Sequence, residues 1–131
     1  MKAKGESDLA GRTKAFALAI IEMTGNLPRS TAAQVLGRNG CGATAGLSKQ
    51  ILRSATSIGA NYREASRGRS KPEFIAKVGD CLREAEETGY WLELLQDSRA
   101  LSASQSGPLL DECRQLIAIL VTISKRAREN L

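Results

Sequence analysis

The chain reads as an all-α protein, an antiparallel up-down-up-down four-helix bundle. Three observations predict it. Apolar residues recur three and four positions apart through four long windows. Capping and stop residues separate those windows. No window alternates apolar and polar residues long enough to make a strand. A chain of 131 residues, 42% of them hydrophobic, can bury one sizeable core, so residues 1–131 form a single domain. A three-helix bundle with a loose first segment is the weaker alternative.

The predicted helices run over about 8–25, 47–67, 71–97 and 108–129. In the first, Leu9, Thr13, Phe16, Ile20, Met23 and Leu27 make the seam. Ser7 or Asp8 can cap its start, and Gly25-Asn26 with Pro28 stops it. Ser30 to Gly37 reads as a short capped helical turn. A glycine-rich loop over 37–46 follows, with Gly40, Gly42 and Gly46 close together.

The second helix carries Leu47, Ile51, Ala55, Ile58, Tyr62 and Ala65, and Gly68 ends it. The third opens on Ser70-Lys71-Pro72-Glu73. Ser70 can cap, proline suits the first turn, and Glu73 completes a capping box. Its stripe is Phe74, Val78, Cys81 (or Leu82), Ala85, Thr88, Trp91 and Leu95. Gly107-Pro108 opens the fourth, whose buried line is Leu109, Cys113, Leu116 with Ile117, Leu120 and Ile123. Lys125, Arg126 and Arg128 suit the negative end of that helix dipole.

Composition narrows the chemistry. There is no histidine, so the commonest general base and metal ligand is missing. Cys41, Cys81 and Cys113 are widely spaced and lack a CxxC pattern, which indicates free thiols rather than a zinc site or a disulfide framework. Cys81 and Cys113 fall on apolar stripes and read as small core residues, whereas Cys41 falls in the loop. No apolar run approaches a membrane span, and the start is not a signal peptide, so a cytoplasmic protein is expected. No cofactor and no metal are expected.

Two constellations look enzymatic and fail on inspection. Gly37 to Thr44 nearly spells the phosphate-binding loop GxxxxGK[ST], but Ala43 stands where the lysine belongs and no apolar strand precedes it. Glu84 and Glu87 could form a carboxylate pair, yet a di-iron bundle site needs Glu-x-x-His motifs. Arg53 and Lys77 are the expected partners of these carboxylates, beside the polar Ser54, Ser57, Asn61 and Thr88. No nucleophile, base and orienting group can be assembled, so an enzyme is not expected.

The formal charge is +5, from 19 basic and 14 acidic residues. It is not scattered. At 100° per residue, Lys49, Arg53, Arg63 and Arg67 fall within about ±40° of one line on the second helix, opposite its apolar seam. The ridge is about 27 Å long. Arg69, Lys71 and Lys77 extend it. Such a ridge can follow a phosphate backbone, each cation displacing a condensed counterion. The candidate nucleic-acid-binding residues are therefore Lys49, Arg53, Arg63, Arg67, Arg69, Lys71 and Lys77. Tyr62 and Trp91 could stack on bases, but both lie on core stripes. The alternative function is a protein–protein scaffold with no direct nucleic-acid role.

The run Gln50-Ile51-Leu52-Arg53-Ser54-Ala55-Thr56-Ser57-Ile58-Gly59-Ala60-Asn61-Tyr62-Arg63-Glu64-Ala65 resembles the signature of the bacterial four-helix-bundle proteins encoded in 23S rRNA intervening sequences. So do Ser70 to Phe74, Glu84-Ala85, Glu87-Thr88 and Trp91-Leu92. The resemblance implies an antiparallel bundle that assembles into a ring-like homopentamer. It also implies similarity to accessory proteins of diversity-generating retroelements, whose partners are nucleic acid and a reverse transcriptase. In one place the chain departs from that pattern: Asn39 to Lys49 is a glycine-rich insertion.

Overall fold

A computed structural model describes residues 8–27 and 40–130. Four helices follow one another: α1 (Leu9–Gly25), α2 (Gly40–Ser66), α3 (Lys71–Asp97) and α4 (Ala103–Glu129). There is no strand among the described residues. Each helix packs on two neighbours in the cyclic order α1, α2, α3, α4, and the diagonal pairs do not approach.

Cross-helix bonds fix the directions. Arg53 pairs with Glu87 and Lys77 with Glu64, so position rises on α2 as it falls on α3. Cys113 reaches the Ala85 carbonyl, and Lys71 the Asn130 carbonyl, which sets α4 antiparallel to α3 in the same way. The fold is the four-helix bundle that the periodicities predict.

The core is built from the expected stripes. Leu9, Phe16 and Ile20 of α1, Ile51, Ala55, Ile58 and Tyr62 of α2, and Leu116 and Leu120 of α4 are buried. On α3 the seam turns one residue later than expected. Leu92 is wholly buried, whereas Trp91 is only partly so. The four-residue step from Thr88 to Leu92 keeps the side chain on the inner line. Trp91 lies at the edge, where its indole N–H donates to Glu87 at 3.3 Å. For the same reason Leu110 replaces Leu109 on the inner line of α4.

Two helix starts differ from the sequence reading. From Gly40 onward the expected glycine-rich loop is helical and continuous with α2. Once a helix exists, each further residue needs only its own hydrogen bond. Ala43 and Ala45 favour that extension enough to carry the glycines, which cost about 1 kcal/mol each. Gly37, Arg38 and Asn39, like the expected turn at 30–37, lie outside the described residues. Helix α4 begins at Ala103 rather than at Pro108. Ser102 and Gln105 form a reciprocal capping box, with Gln105 N–H donating to Ser102 Oγ at 3.3 Å and Ser102 N–H to Gln105 Oε1 at 3.1 Å. Pro108 therefore lies in the second turn.

The other caps differ in detail. Ser70 accepts from Glu73 N–H at 3.2 Å, as expected. Glu73 returns its bond to the N–H of Arg69 at 2.8 Å, one residue ahead of the cap. Asp8 precedes α1 without a side-chain capping bond, and Ser7 lies outside the described residues. Arg99 ends the α3 turn with φ of 65°, and Leu101 N–H reaches back to Leu95 O at 3.0 Å. That bond returns Ala100 and Leu101 to the core.

Helices α1 and α2 approach closely at Gly59. A methyl group there would lie 3.0 Å from the hydroxyl of buried Thr13. At its other side Arg12 of α1 is held to Glu112 of α4 at 2.6 Å and to Gln115 at 3.1 Å.

Burial pushes the Cys81 thiol up to about 12 and the Cys113 thiol up to about 11, from an ordinary 9.0. The unfolded chain sheds these protons near pH 9 while the folded chain keeps them. Stability is thus fully present below pH 9 and falls as pH rises from 9 toward 11–12, by about 1.4 kcal/mol per unit for each thiol. Urea midpoints measured at pH 8 and pH 10.5 should show this loss, and Cys81→Ala should flatten it; equal slopes in the two proteins would disprove the assignment.

Candidate nucleic-acid interface

The seven candidate cations do not remain one ridge. The structure sorts them by partner. Arg53 is drawn to the α3 side, 2.7 Å from Glu87 and 3.7 Å from Glu84. Lys77 is 2.5 Å from Glu64, and that hydrogen bond raises its pKa. Of the two, Arg53 meets the α3 carboxylates as expected, whereas Lys77 finds its acid on α2. Both serve the α2–α3 seam.

Lys49, Arg63, Arg67 and Arg69 are exposed, and their side chains make no ion pair among the described residues. Lys49 stands apart near the start of α2. Arg63 lies at the other edge of the ridge, in a groove of about 300 Å³ between α1 and α2. Lys14 lines the same groove, with Thr13, Thr56 and Gly59 among its walls. Arg67 and Arg69 occupy the connector after α2. Lys71 follows at the start of α3, donating to the Asn130 carbonyl at 3.0 Å.

That last bond brings in residues which sequence reasoning had assigned only to a helix dipole. The end of α4, with Lys125, Arg126 and Arg128, is held against the start of α3. The signal was the antiparallel topology itself: it places the last turn of α4 beside the basic connector. One end of the bundle therefore gathers basic residues from α2, α3 and α4.

Behind the Arg53 pair lies a buried polar seam. Ser54 and Thr88 are both fully buried, and their hydroxyls are 2.9 Å apart. Ser54 donates to Ile51 O, and Thr88 also lies 2.8 Å from Glu84 O. One oxygen of Glu84, Oε2, is buried without a hydrogen-bond partner. Tyr62 is buried and Trp91 half-buried, so both act in packing. Cys41 lies on α2 rather than in a loop. Among the described residues no group of three histidine, cysteine or acidic side chains could hold a metal ion. None of the described helices is long and apolar enough to cross a membrane.

Fold and surface define a class: an antiparallel helical bundle whose polar chemistry consists of seam ion pairs and a cationic end. The particular family follows from comparison. The 23S rRNA-intervening sequence protein model matches residues 6–122, and the chain belongs to that family. A crystal structure of a protein of unknown function from the S23 ribosomal protein family of Bacteroides thetaiotaomicron is similar. It is 32% identical, with a TM-score of 0.70, and the match covers 88% of this chain and 97% of that one. No curated protein matches the chain.

The seam generates a test. Thr88→Val and Ser54→Ala should each destabilise the bundle by about 1 kcal/mol. The double variant should cost clearly less than the sum, because the first change already removes the shared bond. Strict additivity in urea unfolding would show that the two hydroxyls do not interact.

Proposed function

We propose that this protein binds RNA or DNA through backbone phosphates, without enzymatic activity, and does so as a homo-oligomer. The observation that carries the reading is the group Arg63, Arg67, Arg69 and Lys71, exposed at one end of the bundle, whose side chains make no ion pair among the described residues. A cation already paired must give up its acid to gain a phosphate. An unpaired one gives up only condensed counterions. On this basis Arg53 and Lys77 hold the seam, while the connector arginines and Lys71 meet the polyanion. Lys49 adds a phosphate contact farther along α2.

Four such cations from one copy make a weak site. Repetition around a homo-oligomer, a pentamer as the family resemblance implies, raises the effective affinity without new contacts. Positioning by phosphate contacts carries no sequence information, so the expected preference is for shape and charge rather than for particular bases.

Binding of a structured RNA, followed by fluorescence anisotropy across a salt series, tests this reading. Arg67→Glu with Arg69→Glu should lower affinity at low salt by about tenfold or more. The log–log salt slope should fall by roughly 0.9 for each phosphate no longer neutralised. Lys77→Ala should leave the slope unchanged. Undetectable binding at low salt, or an unchanged slope in the arginine double variant, would defeat the reading.

A further inference from the structure

The buried polar side chains among the described residues are Thr13, Ser54, Thr88, Ser106 and Ser124. All but the last lie against a carbonyl of their own helix. The hydroxyls of Thr13, Ser54, Thr88 and Ser106 are 3.0, 3.2, 2.8 and 3.0 Å from the carbonyls of Ala10, Ile51, Glu84 and Ser102. Ser124 is the exception. It is 8% exposed, and its hydroxyl makes no hydrogen bond among the described residues. A buried hydroxyl that forgoes its own helix keeps both its donor and its acceptor for something else.

Ser124 lines a groove of about 380 Å³ between α3 and α4. Ligand sites usually enclose about 300–1,000 Å³. Leu82 supplies apolar wall from α3, and Val121, 46% exposed, supplies it from α4. Lys125 and Arg128 stand one and two turns beyond Val121 on the same face of α4. Both are exposed and make no ion pair among the described residues, and the same holds for Glu129 on the rim. Asn130, next to Glu129, accepts from Lys71 at 3.0 Å. The groove therefore adjoins the cationic end of the bundle.

These groups sort the occupants. A simple anion would meet the Glu129 carboxylate as well as the two cations. An acyl chain would cover Leu82 and Val121 but bring nothing to Glu129. A nucleotide matches every group. The apolar face of its base covers Leu82 and Val121, and the polar edge of the base reaches the Ser124 hydroxyl. Its phosphates meet Lys125 and Arg128, and a ribose hydroxyl or base amine donates to Glu129. Only an unpaired base has a free face and a free edge to offer.

We infer that the α3–α4 groove at Ser124 seats one unpaired nucleotide of a bound strand, so the protein prefers nucleic acid with unpaired nucleotides over perfect duplex. The inference rests on the nucleic-acid reading above and deepens it, adding a seat for a base to the phosphate contacts. Phosphates on the connector cations hold the strand, and the groove selects its conformation.

Fluorescence anisotropy with two labelled RNA probes tests the seat. The probes carry the same number of phosphates; one is a hairpin with a wide unpaired loop, the other a perfect duplex. Wild type should bind the hairpin about fivefold more tightly, the worth of one hydrogen bond with some apolar contact. Ser124→Ala with Val121→Ala removes the hydroxyl and part of the wall without changing charge. It should weaken the hairpin alone, bring the two affinities together and leave the salt slope as it was. The lost hydroxyl has no partner and Val121 is exposed, so circular dichroism should show a folded bundle. Arg67→Glu with Arg69→Glu should instead weaken both probes alike and keep the preference. No binding of either probe at low salt would defeat the nucleic-acid reading and the seat with it. Equal affinities in wild type, or a preference that survives in the groove variant, would overturn the seat alone.

Discussion

The antiparallel seam between α2 and α3 sets the register on which the rest of the bundle depends. At its centre the hydroxyls of Ser54 and Thr88 meet at 2.9 Å in a fully buried position. Sliding one helix by a turn would break this bond and leave each hydroxyl with only the carbonyl of its own helix, and a hydrogen bond of this kind contributes about 0.5–1.5 kcal/mol. The ion pair Arg53–Glu87 lies beside that centre, and Lys77–Glu64 lies nearer the end where α2 stops. Each is partly exposed, screened by solvent and worth little alone. Their role is to penalise the wrong alignment. With α2 and α3 fixed, the connector 98–102 folds α4 back, and α1 closes the remaining side.

The same seam decides what the surface can do. By drawing Arg53 and Lys77 inward, it divides a continuous basic ridge into a paired middle and an open end. The open end lies where α2 stops, α3 starts and α4 finishes. Charge that looks uniform along one helix thus becomes local once three helices are assembled. Two further acids of α3, Glu86 and Glu93, line the groove between α3 and α4 beside Arg114.

Much of the fold was legible in the sequence because period and caps agreed. The seam of α1 from Leu9 to Ile20 and the start of α3 at Ser70-Lys71-Pro72 are examples. Where they disagreed, reading failed. Gly107-Pro108 looked like a helix opening, and the Ser102–Gln105 capping box five residues earlier outweighed it. The glycines at 40, 42 and 46 suggested a break, but a helix already stabilised by packing from Leu47 onward continues through them. The phase of the basic ridge was also legible, since it needs only 100° per residue. Which cations are paired was only partly so. Arg53 could be matched to the α3 acids by type, but Glu64 as the partner of Lys77 depends on interhelical register, which no single-helix pattern contains.

The close contact at Gly59 bears on how this sequence can drift. A helix-interior glycine gives up about 0.5–1 kcal/mol relative to alanine. A methyl group there would meet the Thr13 hydroxyl at 3.0 Å. Positions 13 and 59 are therefore one unit of inheritance rather than two. A larger residue at 59 becomes tolerable only with a smaller one at 13, and the order of change matters, because the small substitution must come first. Chains that keep threonine at 13 should keep glycine at 59, while those with alanine or glycine at 13 are free to gain helix stability at 59.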